Sequence, residues 1–258
     1  MTSKEKWNER YRASTGERQA SRVLKENLHL LPGNGRALDL ACGTGGNAIL
    51  LAQQGLKVTA WDIADVAVAA LQDMARKRQL SIQAEVHDVV TSPPAPETFD
   101  VIVVSYFLER DIIPAVIQAL KPGGLVYYQT FIRQRVSDRG PQREAFRLAD
   151  QELLHLFSGL QVLFYREEGC VGNVQKGFRD EAMFIGRKKL LAGHTGDTSG
   201  TNAVLDVLHI RLTAPSENKP VGDQLVQGCF NGKPIRVDGC DSCCEVPVRC
   251  VTASVINR

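Results

Sequence analysis

Apolar positions between residues 36 and 190 follow two alternating periods. Short β-rich runs stand at residues 36 to 40, 57 to 62, 82 to 87, 100 to 105 and 124 to 131. The segments between them at 46 to 54, 65 to 79 and 112 to 120 carry apolar residues at helical spacing. This alternation predicts a parallel sheet wound with crossover helices.

The pattern changes after the fifth strand. Residues 150 to 157 indicate a short helix, and 160 to 168 and 181 to 188 indicate two strands joined by a glycine-containing loop. Two strands connected in this way should pair antiparallel. Ahead of the first strand, residues 4 to 12 and 20 to 30 are predicted to be helical. The chain is therefore predicted to be α/β, with seven strands, most of them parallel.

The amino-acid composition changes at about residue 192, where Gly, Thr, Ser, Asn and Pro become frequent. Brief alternating runs there predict a β-rich or poorly ordered tail. Five of the seven cysteines lie in it, and Cys240 and Cys243 form a CxxC pair. Two thiolates could contribute to a metal site, but a structural zinc site usually has two spaced pairs, so no metal site is assigned. A redox-sensitive tail and an out-of-frame continuation without selected function also remain open.

Charge and composition exclude some classes of partner. The 31 basic and 29 acidic side chains give a formal charge of +2, too balanced to predict nucleic-acid or membrane binding. We see neither the apolar segment of a signal peptide nor about 20 consecutive apolar residues that could span a bilayer. The odd cysteine count argues against a disulfide-stapled secreted protein. We therefore expect a cytoplasmic protein of undetermined oligomeric state.

The segment LDLACGTGGNAILLA, residues 38 to 52, runs from a strand through a glycine turn into a helix. Its glycines allow the backbone to approach a ligand closely. Ala41, Gly43 and Gly46 match the dinucleotide fingerprint, with Ala at its first position. Asp39 favours another ligand, because a carboxylate there would repel a pyrophosphate but attract the cationic end of S-adenosylmethionine. The alternative is that Asp39 only caps the turn and the glycines only allow tight packing of strand and helix.

Two further acids follow the next strands. Asp62 ends the second strand and could accept hydrogen bonds from both ribose hydroxyls, with Ile63 beside the adenine. Asp65 is the better candidate for the N-cap of the following helix. Asp88 ends the third strand and could accept from the adenine amino group, with Val89 against the ring. A plain turn is the alternative for Asp88.

The motifs LDLACGTGGN, AWDIA, HDV, FDVIVVSYFL and LKPGGLVYYQTF, in this order and spacing, resemble those of class I S-adenosylmethionine-dependent methyltransferases. KWNERY and the YYQTF strand resemble the tellurite-resistance-type branch. The resemblance implies a Rossmann-like sheet with an antiparallel last strand, helices on both faces, and S-adenosylmethionine as cofactor. It also implies a methyltransferase domain at residues 1 to 191, followed by a cysteine-rich extension of unknown role at 192 to 258.

The resemblance assigns roles by position. Asp39 and the backbone from Ala41 to Gly45 would surround the methionine portion, and the first helix would cover the cofactor. The alternative for this helix is that its aromatic residues only pack on the domain. The candidate cofactor-binding residues are Tyr11, Asp39, Ala41, Gly43, Gly45, Asp62, Ile63, Asp88, Val89 and Ser105. Ser105 and Tyr106 would lie beside the sulfonium and the acceptor, and their sequence differs from the Asn/Asp-Pro-Pro-Tyr type associated with methylation of base nitrogens.

The acceptor is less defined by the sequence. Five arginines between residues 133 and 147 could bind an anionic acceptor or form a solvated loop. No residue identifies itself as a catalytic base. We expect transfer to a small-molecule acceptor, such as a thiol or a chalcogen oxyanion. Transfer to protein or RNA, an NAD(P)-dependent oxidoreductase and a non-catalytic S-adenosylmethionine-binding module remain as alternatives.

Overall fold

A computed structural model describes residues 2–13 and 19–190, together with the backbone of four short strands nearer the end of the chain. Contacts divide the chain into two units, Met1–Thr195 and Gly196–Arg258. Within the described residues, no helix is both long and apolar enough to cross a membrane.

The first unit is built on one seven-stranded sheet of order β3-β2-β1-β4-β5-β7-β6. Its strands are β1 (Arg36–Leu40), β2 (Lys57–Asp62), β3 (Ile82–Val86), β4 (Phe99–Ser105), β5 (Leu120–Phe131), β6 (Gln161–Glu167) and β7 (Glu181–Arg187). The first five pair in parallel, whereas β7 lies antiparallel between β5 and β6. The predicted antiparallel last strand is confirmed.

Helices cover both faces of the sheet, as predicted. They are α1 (Ser3–Ala13), α2 (Arg22–Glu26), α3 (Gly46–Gln53), α4 (Asp65–Arg78), α5 (Ile113–Ala119) and α6 (Glu152–Leu156). Along β4, Val101 and Val103 enter one apolar core with α2, α3 and α4, while Ile102 and Val104 enter the other with α5 and α6. This alternation explains why the β4 sequence is a continuous apolar run.

Two local features differ from the sequence prediction. The helix predicted over 20 to 30 is divided, because Asn27 leaves helical geometry with φ −128° before a short 3₁₀ turn at Leu28–Leu30. Strand β5 starts at Leu120, four residues earlier than predicted, and its pairing with β4 shifts register near Phe99. Residues 87–98, for which no helix is predicted, connect β3 to β4 without one.

In the second unit the structure describes four short β-strands, and the choice between a β-rich and a poorly ordered tail stays open. Gly228–Phe230 pairs antiparallel with Lys233–Ile235, and Val237–Asp238 pairs antiparallel with Thr252–Ala253. The CxxC pair at 240 to 243 and the predicted domain boundary after residue 191 lie outside the described residues. The division into domains therefore stays a prediction.

Candidate functional site

The chain turns tightly where β1 leads into α3. Ala41, Gly43 and Gly45 all have positive φ angles, of 56°, 54° and 83°. A Cβ on Gly45 would lie 2.3 Å from Leu71 Cδ1 in α4, and one on Gly43 would lie 2.7 Å from the Tyr11 hydroxyl oxygen. The glycines therefore permit α4 and α1 to pack closely against the turn, and the approach to a ligand stays a prediction.

Asp39, near the end of β1, is completely buried. Its Oδ2 accepts a hydrogen bond from the Ala48 N–H at 2.9 Å, and its Oδ1 accepts a longer one from Asn47 Nδ2 at 3.4 Å. Burial raises the pKa of the Asp39 carboxyl from 3.8 to about 7, opposed by these two hydrogen bonds and reinforced by the charge of Asp62. A buried acid of this kind is stabilised by a cation placed beside it.

Asp62 connects the turns that follow β1 and β2. Its Oδ2 accepts from the Gly43 N–H at 2.7 Å, and its Oδ1 accepts from the Ala64 N–H at 2.9 Å. The N-cap position of α4 is Ala64, whereas Asp65 is the first helical residue and pairs with Lys4 at 3.1 Å. The expectation that Asp65 caps this helix is therefore wrong, and Asp62 satisfies the N–H of the cap residue instead.

Helix α1 packs over this region through its contacts with α4. Asn8 Oδ1 accepts from the Val66 N–H at 3.3 Å, and Tyr11 is 9% exposed in a cluster with Ala64 and Ala67. Trp7 lies with its ring centroid 5.9 Å from that of Tyr11. The structure thus places Tyr11 beside the glycine turn, as expected for a helix that covers this site.

The residues assigned to the adenine pocket lie at the ends of β2 and β3. The His87 N–H donates to the Asp62 carbonyl at 2.9 Å, which holds the two strand ends together. Asp88 Oδ1 accepts from the Val90 N–H at 3.0 Å, the contact expected of a turn residue. Val89 is 6% exposed and belongs to the apolar core, while Ile63 is half-buried. Asp88 therefore has the turn role that was its alternative, and it lies next to the residues assigned to the adenine pocket.

Asn47 is a polar residue that the sequence reasoning missed. Its Nδ2 donates to Ser105 Oγ at 2.8 Å, and its Oδ1 accepts from the Ser21 N–H at 2.8 Å. Together with its contact to Asp39, this amide joins the ends of β1 and β4 to the segment before α2. The sequence signal that could have identified Asn47 is an Asn in the first turn of a helix that is otherwise apolar and buried.

A second polar group lies where β4, β5 and β7 reach the same edge of the sheet. Glu181 is 2% exposed and accepts hydrogen bonds from Tyr106 and Gln129. Arg139 forms an ion pair with it at 3.0 Å. Of these four residues, sequence reasoning named Tyr106 and, within the arginine-rich loop, Arg139. Gln129 and Glu181 gave no separate signal.

The arginine-rich loop is more than a solvated loop, because some of its arginines bond to the rest of the chain. Arg147 is 2% exposed, and its guanidinium donates to the carbonyls of Ile132, Pro141 and Arg139. Burial lowers the pKa of Arg147. Since Arg139 is paired with Glu181, Arg139 and Arg147 are among the arginines that stabilise the loop structure.

The arrangement defines a class of protein. A sheet of this order, with a glycine turn after β1 and acids at the ends of β1 and β2, has the architecture of class I S-adenosylmethionine-dependent methyltransferases. Within that class, the family model described as "Tellurite resistance protein TehB" matches residues 3–182. The chain belongs to this family.

Individual relatives show how far the likeness extends. The "Probable S-adenosyl-L-methionine-dependent methyltransferase TehB" of Haemophilus influenzae is 30% identical over 141 residues, 51% of this chain and 48% of that protein. The crystal structure of TehB from Haemophilus influenzae matches with a TM-score of 0.53 at 23% identity, over 72% of this chain and 67% of that one. This chain spans about half the length of the curated relatives it matches.

The crystal structure of the [4+2]-cyclase SpnF matches almost as well. Its TM-score is 0.52 at 20% identity, over 65% of this chain and 78% of that chain. A protein named for a cyclisation thus shares this architecture. The likeness in structure establishes the fold, and the reaction has to be argued from the site.

Proposed function

We propose that this chain is an S-adenosylmethionine-dependent methyltransferase acting on a small-molecule acceptor, with a thiol or a chalcogen oxyanion as the candidate acceptor. The observation that carries the proposal is the complete burial of Asp39 beside the glycine turn. A dinucleotide would bring a pyrophosphate to this strand end, where the carboxylate would repel it. The ammonium and sulfonium groups of S-adenosylmethionine would instead stabilise the ionised acid.

The family assignment supports a set of roles around this acid. Asp39, Ala41, Gly43, Gly45 and Tyr11 would contact the methionine portion. Asp62 would bind the ribose. The remaining proposed contacts, on the adenine and next to the methyl group, are Ile63, Asp88, Val89 and Ser105. The cation-favouring carboxylate and the tight glycine turn fit the chemistry of this cofactor.

The reaction would be an in-line displacement in which the bound cofactor supplies a methyl group activated by its sulfonium. The chain's contribution would be alignment and exclusion of water. Tyr106 is unsuited as a general base, because its hydroxyl donates to Glu181 and burial raises its pKa above the ordinary value of 10. An acceptor that arrives already ionised requires no base, which favours a thiolate or an oxyanion.

Calorimetric titration would test the cofactor assignment. We expect S-adenosylmethionine and S-adenosylhomocysteine to bind the wild-type chain and NAD to give no heat of binding. Asp62→Ala should weaken adenosyl binding about tenfold or more, since it removes a charged hydrogen-bond acceptor. Asp73→Ala, on an exposed ion pair of α4, is the matched control and should bind normally. Binding of NAD without either adenosyl ligand would contradict the proposal.

The pH dependence of binding gives a separate check. Without ligand, the Asp39 carboxyl is mostly protonated below pH of about 7. A cationic ligand that prefers the ionised acid should therefore bind more tightly as the pH rises through this value and level off above it. Asp39→Asn should remove this dependence.

The acceptor requires a methyl-transfer assay with radiolabelled S-adenosylmethionine. Thiols, chalcogen oxyanions, amines and small carboxylic acids should be compared at equal concentration. We expect transfer to thiols or chalcogen oxyanions, which can reach the site as anions. Transfer to amines should be low, because amines are mostly protonated near neutral pH and would need a base to free the lone pair. Preferred transfer to amines would contradict the proposed acceptor class.

A further inference from the structure

Glu181 is a buried carboxylate that lies outside the proposed cofactor pocket. It is the first residue of β7 and is paired in register with Phe131 at the end of β5. Only 2% of it is exposed. A carboxylate withdrawn from water needs several donors to remain stable, so its neighbours show what it supports.

Three donors reach this carboxylate from different elements. Gln129 Nε2 donates to Glu181 Oε2 at 2.6 Å, and the Tyr106 hydroxyl donates to the same oxygen at 3.1 Å. Arg139 Nη2 donates to Oε1 at 3.0 Å. Gln129 Nε2 also donates to the Tyr106 hydroxyl oxygen at 3.0 Å. The tyrosine hydroxyl is therefore fixed from two sides.

Tyr106 occupies an unusual position. It directly follows Ser105 at the carboxyl end of β4, the edge where open α/β sheets bind ligands. Its φ of 58° is uncommon for a residue other than glycine. Its side chain nevertheless remains 41% exposed. Surrounding contacts must maintain such a backbone geometry. The Tyr106 N–H donates to the Gln129 carbonyl at 2.8 Å, and the hydroxyl contacts with Gln129 and Glu181 fix the other end of the side chain.

The exposed part of Tyr106 lies beside other groups at the same edge. Its ring centroid is 5.3 Å from that of Phe131. The guanidinium of Arg139 is electrically balanced by Glu181, although 63% of the Arg139 side chain is exposed. This edge therefore presents an aromatic surface next to a balanced ion pair.

We propose that Glu181 is a positioning residue that holds the Tyr106 ring as one wall of the acceptor site, next to Ser105. The inference rests on the proposed function, because an acceptor site presupposes methyl transfer. It assigns Glu181 no part in proton transfer. Its oxygens are already used by three donors, and the tyrosine ring is the group that would contact the acceptor.

Steady-state kinetics test this role. The variants are Glu181→Gln, Tyr106→Phe and the double variant, assayed with tellurite and with 4-nitrobenzenethiol as acceptors. Each single variant should raise the acceptor KM about tenfold, the effect expected from losing a hydrogen bond to a charged group. The Kd for S-adenosylmethionine should change less than about twofold. The double variant should resemble the single ones, since both act through one ring.

Glu144→Gln is the matched control, an exposed glutamate in the same loop as Arg139. It should leave both KM and Kd unchanged. Equal weakening of acceptor and cofactor binding in Glu181→Gln would indicate general structural damage and overturn the inference. An unchanged acceptor KM in that variant would overturn it as well.

A second measurement needs neither cofactor nor acceptor. The chain contains five tyrosines, so fluorine NMR of 3-fluorotyrosine-labelled protein should resolve the Tyr106 signal, assigned by its loss in Tyr106→Phe. Glu181→Gln should shift and broaden that signal and leave the other four in place. An unmoved Tyr106 signal would refute the positioning role. Failure of the wild type to bind S-adenosylmethionine would instead refute the proposed function, so the two failures are distinguishable.

Discussion

Replacing Asp39 with Asn should change how the stability of the protein depends on pH. In the folded chain the pKa of this carboxyl is about 7, against an ordinary value of 3.8. The folded state therefore binds more protons than the unfolded state between these two values. The sign follows from linkage: the free energy of unfolding of the wild type falls as the pH rises through this window.

The magnitude follows from the size of the pKa change. Each pKa unit corresponds to about 1.4 kcal/mol, so the whole rise represents at most about 4 kcal/mol of cost to the folded state. Of this cost to the folded state, about 2.5 kcal/mol develops between pH of about 5 and about 8. Asn cannot ionise, so the free energy of unfolding of the variant, relative to wild type, should increase by that amount over the same range.

Urea denaturation at several pH values measures this difference. The amide introduced by Asp39→Asn would face the Asn47 amide, which donates to the present carboxylate, but that penalty is the same at every pH and does not affect the slope. Asp100→Asn is the control. Burial alone would raise the pKa of the Asp100 carboxyl, but hydrogen bonds from Arg36 and Lys121 lower it. The stability that ionised Asp100 contributes is therefore lost only as the pH falls toward this lowered pKa, well below about 5. A flat difference for Asp39→Asn would refute the reasoning.

Three other outcomes are expected. Gly45→Ala places a methyl group 2.3 Å from a leucine methyl carbon of α4 at a φ of 83°, so urea denaturation should show a loss of about 2 kcal/mol or more. Gly159→Ala, with open space around it, should stay within about 0.5 kcal/mol. Arg147→Met should lose about 3 kcal/mol, because it leaves one buried and two partly buried carbonyls without this donor. Equal stability in exposed Arg143→Met and Arg147→Met would contradict this. A chain ending at residue 191 should bind cofactor like the full chain, and a large loss of melting temperature would show that the extension supports the core.

The strands that position the site could be predicted well from the sequence. For β1 and β2 the predicted limits coincide with the observed ones, because an apolar run ends at a glycine turn in one and at an acid in the other. The carboxyl ends of parallel strands meet at one edge, so Asp39, Asp62 and Ser105 could be grouped from their order alone. Local sequence signals are sufficient where a glycine turn or an acid marks the end of a strand.

The polar contacts behind these residues could not be predicted in this way. Gln129 and Glu181 are separated by 52 positions, and Asn47 and Ser105 by 58. Their pairing depends on which strands become neighbours and in what register, and no local pattern encodes that. Arg147 shows the same limit, because a charged residue in a polar loop gives no sign that the loop folds around its guanidinium.

One segment supports both polar groups, and this explains why each contains an amide. The N–H and hydroxyl of Ser21 donate to Asn47 Oδ1 at 2.8 and 2.9 Å, and the Val23 N–H donates to Gln129 Oε1 at 2.8 Å. The NH₂ group of each amide points the other way, toward a buried carboxylate. Only Asn and Gln offer an acceptor and two donors on one side chain without charge. An acid at either position would repel the neighbouring carboxylate. An apolar residue would remove one donor from that carboxylate and would leave the backbone N–H of Ser21 or Val23 without this acceptor. The chemistry on the two sides therefore determines the residue type at positions 47 and 129.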